Sequence, residues 1–145
     1  MVNTPATIAE TPDDTFAAGE RLAGELKPGD AILLSGGLGA GKTLFTKGIL
    51  HGLGYDVDEV TSPSFALVNL YETSKFNVYH IDLWRLDAGA DIGMIVGIDE
   101  LIEDERNILI VEWAERLSDF KFSQKPIRVH IEGDGDQSRA IKIDR

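Results

Sequence analysis

The sequence predicts a single α/β domain on the basis of three observations. Continuous apolar runs typical of buried strands alternate with segments that have helical periodicity. Two β-rich runs separated by the polar residues 72–75 indicate a hairpin. The chain has 145 residues, 43% of them hydrophobic and 27% charged, which suits one globular domain, and neither a repeat nor a linker divides it.

The N-terminal part of the chain is predicted to form a helix, a strand and a second helix. A helix at residues 11–26 is indicated by Thr11 as N-cap, by Pro12 at the first helical position and by an apolar side. After a turn containing proline and glycine, a continuous apolar run predicts a buried strand at residues 31–35. A second helix is predicted at residues 42–53, with apolar side chains available for packing.

The rest of the chain is predicted to be rich in strands. The β-rich residues 65–71 and 76–81 form the hairpin, and the acidic residues 98–105 predict a further helix. A continuous apolar run predicts a buried strand at residues 107–111. The remaining predictions are strands at residues 127–131 and 140–143, on either side of a glycine-containing turn.

The composition excludes several classes of protein. The formal net charge of −11, from 25 acidic and 14 basic residues, makes unaided tight binding to DNA or RNA unfavourable, because most of the surface repels phosphate backbones. The lack of cysteine excludes a disulfide framework and a thiolate metal site. Because the N-terminus resembles neither a signal peptide nor an anchor and no apolar run could span a membrane, we expect a cytoplasmic protein. The acidic surface serves solubility or docks a basic protein partner.

A glycine-rich segment directly after the first predicted strand carries the strongest functional signal. It matches the pattern G-x-x-x-x-G-K-[ST], in which glycines let backbone N–H groups approach phosphate oxygens at the start of a helix. Lys42 is expected to reach the β and γ phosphates, and the hydroxyl of Thr43 to bind magnesium. The sequence therefore predicts a site for a nucleoside triphosphate and Mg²⁺. The loop consists of Gly36, Gly37, Leu38, Gly39, Ala40, Gly41, Lys42 and Thr43.

Two acidic residues at strand ends are candidates for the magnesium side of this site. Glu112 follows the apolar strand at residues 107–111 and is the first candidate, and Asp82, at the end of the preceding β-rich run, is the second. Trp113 either packs in the core or lies against the nucleotide. His80 is expected to be a hydrogen-bonded structural histidine.

Weaker signals in the sequence indicate which nucleotide is bound and which class of protein this is. The hydroxyl-rich residues 61–64 are either an ordinary turn or a switch that senses the γ-phosphate or magnesium. The usual guanine-reading tetrapeptide [NT]-K-x-D does not occur, which favours adenine. Arg85 is the only arginine near the loop, whereas small-molecule kinases cover phosphates with arginine-rich segments. A switch-like ATPase is therefore favoured over a small-molecule kinase, and a non-hydrolysing nucleotide-binding module is a further competing class.

Four segments in order resemble one known family. They are residues 36–45, residues 60–65 with Leu67, Val68 and Asn69, residues 79–86, and residues 110–113. The segments Ser-Pro-Ser-Phe and His-x-Asp-x-x-Arg-Leu are particular in combination, and the chain resembles the TsaE family, the bacterial ATPases of tRNA threonylcarbamoyladenosine synthesis. Mild departures are Gly37 in place of the usual acid, Ser64 in place of Thr and Trp84 in place of Tyr, and Gly37 removes a charge near the phosphates.

The resemblance implies a P-loop NTPase-like, three-layer fold, with a mostly parallel sheet, a β-hairpin and helices on both faces. It implies a protein that binds ATP and Mg²⁺ and slowly hydrolyses ATP while docked on the TsaB–TsaD threonylcarbamoyl transferase complex. The acidic surface would then contact these protein partners, and tRNA would be reached only through them, without any role for DNA or membranes.

The resemblance also implies roles for individual residues. It points to Thr11 and to the turn at residues 133–139 for the adenine pocket, and to residues 61–64 for the switch. The implied catalytic residues are Lys42, Asp82 and Glu112, with Asp82 assisting hydrolysis. The implied magnesium ligands are Thr43 and Glu112. The implied nucleotide-binding residues are Gly37, Leu38, Gly39, Ala40, Gly41, Lys42, Thr43, Thr61 and Trp113.

Overall fold

A seven-stranded mixed sheet forms the centre of the computed structural model, which describes residues 6–37, 39–59, 68–83, 97–101, 103–117, 122 and 124–145. The strands are β1 (Thr7–Ala9), β2 (Ala31–Gly36), β3 (Val68–Glu72), β4 (Asn77–Asp82), β5 (Asn107–Glu112), β6 (Ile127–Glu132) and β7 (Arg139–Asp144). The α-helices within the described residues are α1 (Pro12–Ala23), α2 (Lys42–Gly52) and α3 (Ile98–Leu101). The strand order in the sheet is β1-β7-β6-β2-β5-β4-β3.

Parallel pairing is found in the middle of this sheet. Strands β6, β2, β5 and β4 are parallel neighbours, with β2 between β6 and β5. Antiparallel pairs flank them, namely β6–β7 and β7–β1 on one side and the β3–β4 hairpin on the other. The predicted α/β class and the hairpin are therefore confirmed. The sheet was expected to be mostly parallel, and the parallel strands in it are β6, β2, β5 and β4.

Each face of the sheet carries its own apolar cluster, because alternate residues of a strand point to opposite faces. Ile32 and Leu34 of β2 belong to the cluster that packs under α1 and α2. Ala31 and Leu33 belong to a second cluster on the opposite face, which includes Ile98 of α3. The two clusters give the fold its three layers. Among the described residues, none of the helices has the length and apolar character that crossing a membrane requires.

Helices α1 and α2 pack closely because glycines lie at their contact. A Cβ atom on Gly19 would lie 2.3 Å from the carbonyl oxygen of Phe45, and one on Gly48 would lie 2.1 Å from that of Phe16. Real Cβ atoms do not approach backbone oxygens so closely. The close approach holds α2, and hence the loop that precedes it, firmly against α1.

Some element boundaries differ from the sequence predictions. Helix α1 ends at Ala23, because the chain turns at Gly24, whose N–H bonds the carbonyl of Leu22. The helix predicted at residues 98–105 was wrong in length: α3 covers Ile98–Leu101, and an acidic turn follows it before β5. The edge strand β1 was not predicted, since its three residues are too few to show strand alternation.

Candidate nucleotide-binding site

The glycine-rich loop lies at the carboxyl edge of the parallel strands, between β2 and α2. Ligand sites in open α/β sheets form at this edge. Gly36 has a φ of 140°, and a Cβ atom there would lie 2.2 Å from the carbonyl oxygen of Ile131, so no other residue fits. Gly41, the N-cap of α2, has a φ of 109°. These glycines let the chain pass directly from β2 into the N-terminus of α2, which favours anions.

Lys42 is the first residue of α2, and its side chain folds back onto the loop. The amine donates hydrogen bonds to the carbonyl oxygens of Gly36, at 2.7 Å, and Gly37, at 2.9 Å. It also lies 3.7 Å from the centre of the Trp113 ring, which is a cation–π contact. The lysine amine therefore lies at the glycine-rich loop, as the sequence pattern predicts.

The environment of Lys42 disfavours its positive charge. The residue is only 5% exposed, and burial lowers the pKa of its amine below the ordinary value of 10.5, because the charged form loses hydration. Carboxylates near the amine oppose this effect. In decreasing order of influence they are those of Glu112, Glu115 and Asp82. An anion bound in the loop would therefore stabilise the charged form of this amine.

Trp113 has an unusual backbone conformation beside this lysine. Its φ is 59°, in the left-handed region that bulky residues rarely adopt. The indole is partly buried against the apolar cluster that includes Leu33, and its face covers the Lys42 amine. The sequence left core packing and proximity to the nucleotide as alternatives, and in the structure the ring both packs on the core and adjoins the loop.

Glu112 is the centre of a buried hydrogen-bond network. Its carboxylate is at the end of β5 and accepts a hydrogen bond from the Thr43 hydroxyl, with distances of 3.1 and 3.4 Å to its two oxygens. The Nε2–H of His80, on the neighbouring strand β4, donates to the same carboxylate. His80 is fully buried, as the prediction of a hydrogen-bonded structural histidine requires, but sequence reasoning did not foresee that its partner is Glu112.

The oxygens of Thr43 and Glu112 suit a magnesium ion. Mg²⁺ prefers oxygen ligands and is commonly held by one or two protein side chains together with phosphate oxygens. The two side chains meet at the N-terminus of α2, next to the glycine-rich loop. The donor set of the chain therefore fits magnesium at this position.

Asp82 lies beside Glu112 at the same edge of the sheet. The two residues end adjacent parallel strands and are paired in register. They lie on the same face of the sheet, because corresponding residues of parallel strands point the same way. The structure thus brings together both carboxylates that were proposed from the sequence. Leu38 and Thr61, also proposed, lie outside the described residues, as do the other switch residues and Arg85.

A cleft of about 260 Å³ adjoins the loop on its other side. The start of α1 contributes Thr11 and Pro12, and the β6–β7 turn contributes Gln137 and Arg139. The loop itself contributes residues 39–41. The segments that the resemblance implied for an adenine pocket are therefore neighbours in space. Arg139 also donates to carbonyl oxygens of the loop, a contact that no sequence pattern indicates.

Comparison with known proteins agrees with this architecture. A model of the family described as "Threonylcarbamoyl adenosine biosynthesis protein TsaE" matches residues 9–141, which include the loop, both carboxylates and the first half of β7. The chain belongs to the TsaE family. The matched description names the family for the biosynthesis of threonylcarbamoyladenosine, the modified tRNA nucleoside.

Individual members of the TsaE family cover most of the chain. The tRNA threonylcarbamoyladenosine biosynthesis protein TsaE of Bacillus subtilis (strain 168) is 35% identical over 130 residues, 90% of this chain and 78% of that protein. The protein of the same name from Rickettsia felis is 37% identical over 108 residues, 74% of this chain but only 61% of the relative. The crystal structure of Bacillus subtilis YdiB, 32% identical, superposes with a TM-score of 0.76 and covers 99% of this chain and 86% of that one.

Proposed function

We propose that this TsaE-family protein is a magnesium-dependent ATPase of tRNA threonylcarbamoyladenosine synthesis that acts as a nucleotide switch on a TsaB–TsaD type complex. The observation that carries the proposal is the meeting of Lys42, Thr43 and Glu112 at one helix N-terminus. These groups supply a cation, a hydroxyl and a carboxylate beside a glycine-rich loop. P-loop NTPases use this combination to hold the β- and γ-phosphates and the magnesium ion.

The loop would bind the triphosphate through backbone N–H groups and Lys42. The lysine is held by loop carbonyls at 2.7 and 2.9 Å, within reach of any phosphate that enters. Exchange of these neutral acceptors for a phosphate oxygen strengthens its hydrogen bonds, because both partners then carry a full charge. Lys42 thereby offsets the repulsion between a polyanionic ligand and a chain of net charge −11.

Thr43 and Glu112 would hold the magnesium ion, and Asp82 would act on water. Bound magnesium neutralises charge that develops on the β- and γ-phosphate oxygens. Asp82 is next to Glu112 in register, so its carboxylate lies on the face where the γ-phosphate would end. Its role is to orient the attacking water. The chemistry needs nothing further from the chain than positioning and charge, which is typical of phosphoryl transfer.

The cleft at the β6–β7 turn would receive the adenosine part of ATP. It begins at Gly39, Ala40 and Gly41 of the loop and continues between the start of α1 and the turn. A nucleotide bound by its phosphates at the loop can extend its nucleoside in that direction. The volume of about 260 Å³ is close to the lower end of common ligand pockets, about 300 Å³.

The switch itself is proposed to involve Thr61 and residues 62–64, which follow α2 in the chain. Their order would depend on magnesium and the γ-phosphate, and hydrolysis would release it and reset the partner complex. The acidic surface would contact the protein partners, while tRNA is reached only through them. The proposal also places the protein in the cytoplasm.

ATP hydrolysis by the protein alone and with a purified TsaB–TsaD complex tests the proposal, with Lys42→Ala and Glu112→Ala as variants. We expect turnover that the partner complex stimulates and that both substitutions abolish. Consumption of ATP in proportion to a phosphorylated acceptor would instead identify a kinase. ATP binding without turnover in either setting would identify a non-hydrolysing nucleotide-binding module.

A further inference from the structure

Arg139 connects the phosphate loop to the C-terminal hairpin. Its Nε–H donates to the carbonyl oxygen of Ala40 at 3.0 Å, and one Nη–H lies 3.4 Å from that of Gly39. On the hairpin side the guanidinium donates to the carbonyl oxygens of Gly135, at 3.0 Å, and Gln137. One side chain at the start of β7 therefore binds backbone from two segments that are about a hundred residues apart, residues 39–40 and 135–137.

The contact with Ala40 fixes the direction of an N–H group in the loop. A trans peptide is planar, so its carbonyl oxygen and the N–H of the following residue point in opposite directions. Because Arg139 holds the Ala40 carbonyl, the N–H of Gly41 points away from the guanidinium. Gly41 is the N-cap of α2, and its N–H belongs to the loop that is proposed to bind phosphate.

The hairpin is shaped to hold the arginine in place. A Cβ atom at Gly133 would lie 2.6 Å from Cδ of Arg139 and 2.6 Å from the carbonyl oxygen of Ser138, and the φ of Gly133 is 137°. Arg139 is also paired with Ala9 of β1, so its backbone is fixed by the sheet. The planar guanidinium with five donors suits several carbonyls at once, which the single ammonium of lysine does not.

We propose that Arg139 is a positioning residue that holds the phosphate loop in its anion-binding conformation through the Ala40–Gly41 peptide. The inference rests on the proposed binding of a triphosphate at the loop. Lys42 takes the carbonyls of Gly36 and Gly37, and Arg139 takes those of Gly39 and Ala40, so two cations hold loop carbonyls while leaving N–H groups for the ligand. The link also makes the loop sensitive to the position of the hairpin.

The experiment compares the affinities of ATP and inorganic tripolyphosphate by calorimetry for the wild type, Arg139→Lys and Arg139→Met. Tripolyphosphate has no base or ribose, so it reports on the loop alone. We expect both ligands to bind on the order of tenfold more weakly to both variants, since a charge-assisted hydrogen bond is lost and the loop is less ordered. The matched control is Arg128→Met, which removes an exposed arginine from the same hairpin and should leave both affinities within about twofold.

Amide hydrogen exchange gives a readout that does not depend on any ligand. In the Arg139 variants the Ala40 amide, which donates to the Gly37 carbonyl at 3.1 Å, should exchange faster, whereas the amides in the middle of α2, such as that of Ile49, should remain protected. Faster exchange throughout the protein would show general destabilisation and overturn the positioning role.

The binding results separate the remaining interpretations. Loss of ATP affinity with unchanged tripolyphosphate affinity would overturn the inference, because Arg139 would then act on the nucleoside. Wild-type affinity of Arg139→Lys would also overturn it, because charge alone would suffice. A wild-type protein that binds tripolyphosphate but never hydrolyses ATP would refute the proposed function and leave this inference standing. Failure of the wild type to bind either ligand would refute both.

Discussion

The imidazole of His80 and the carboxylate of Glu112 are hydrogen-bonded to each other in the interior of the protein. His80 is fully buried and Glu112 is only 3% exposed, although both lie on strands that end at the candidate site. A buried carboxylate with two donors, His80 and Thr43, has a fixed orientation before any ligand binds. Such preorganisation suits the proposed role of Glu112 as a magnesium ligand, because outer hydrogen bonds orient the groups that touch a metal.

The first prediction concerns the hydrogen bond that His80 donates to Glu112. His80→Leu should weaken magnesium binding in the ATP complex by about 10- to 100-fold, the usual effect of removing a hydrogen bond that supports a ligand. His80→Gln retains an N–H donor and should recover a large part of that loss. The measurement is the magnesium dependence of ATP affinity, with an EDTA series alongside. ATP affinity in EDTA should be equal in all three proteins, and a parallel loss there would contradict a role through Glu112.

The second prediction concerns the buried charge of Lys42. Lys42→Met should weaken ATP binding by about 10- to 100-fold, since a hydrogen bond to a charged group contributes about 1.5–3 kcal/mol. Because burial lowers the pKa of Lys42, the folded protein binds fewer protons than the unfolded chain between the lowered pKa and 10.5. The stability of the wild type relative to Lys42→Met should therefore rise with pH within that window.

Urea unfolding of the wild type and Lys42→Met at a series of pH values checks the sign of this effect. All other titrating groups are shared by the two proteins and cancel in the difference between their free energies of unfolding. A difference that falls as the pH rises would mean that contacts of the protonated amine outweigh the cost of its burial.

The third prediction concerns the contact between α1 and α2. Gly48→Ala should destabilise the protein by about 1–3 kcal/mol, because the added Cβ would lie 2.1 Å from the carbonyl oxygen of Phe16 and the helices must separate. Gly24→Ala is the matched control, since its Cβ would lie 3.6 Å from its nearest neighbour, the backbone oxygen of Arg21. Urea unfolding should find this control within about 0.5 kcal/mol of the wild type. Equal effects of both substitutions would argue against a steric cause.

The parts of this fold that could be predicted are those encoded in neighbouring residues. The glycine-rich loop was predicted to bind phosphate because its glycines, Lys42 and Thr43 are close together in the sequence, and Glu112 was proposed beside it because it directly follows a continuous apolar run. The pairing of Thr43 with Glu112 depends on strand order, since only the adjacency of β2 and β5 brings Glu112 to the N-terminus of α2. Glu112 was proposed for the magnesium side from its position at a strand end, and the resemblance to the TsaE family implied the same role, but neither gave the strand order.

Contacts between single side chains and residues that are distant in the sequence could not be predicted from the sequence. Arg139 is one of several charged residues in a terminal strand, and nothing beside it in the sequence indicates that it binds the Ala40 carbonyl. The partner of His80 was likewise hidden, because the pairing of β4 with β5 decides it. The short length of α3 was missed because helical propensity across its acidic segment was outweighed by a turn in which Arg106 donates its N–H to the side chain of Asp104.

The last prediction concerns the cleft at the start of α1. Thr11 is the N-cap of that helix: its hydroxyl accepts the Asp14 N–H at 3.3 Å, the Asp14 carboxylate accepts the Thr11 N–H at 3.2 Å, and Thr11 also lines the cleft. Thr11→Ala should cost about 1 kcal/mol of stability through the lost cap. If adenosine occupies the cleft, it should also weaken ATP binding and leave tripolyphosphate binding unchanged.

A second threonine separates the effect on stability from the effect on the cleft. Thr73→Ala removes a hydroxyl that donates to the Phe76 carbonyl at 2.9 Å in the β3–β4 turn, outside the cleft. It should lower stability by a similar amount, about 1 kcal/mol, without changing the affinity for either ligand. Thr11→Ser retains the cap and should behave as the wild type in unfolding. Equal loss of ATP and tripolyphosphate affinity in Thr11→Ala would instead place the effect at the loop, because Thr11 would then act by anchoring α1 against α2.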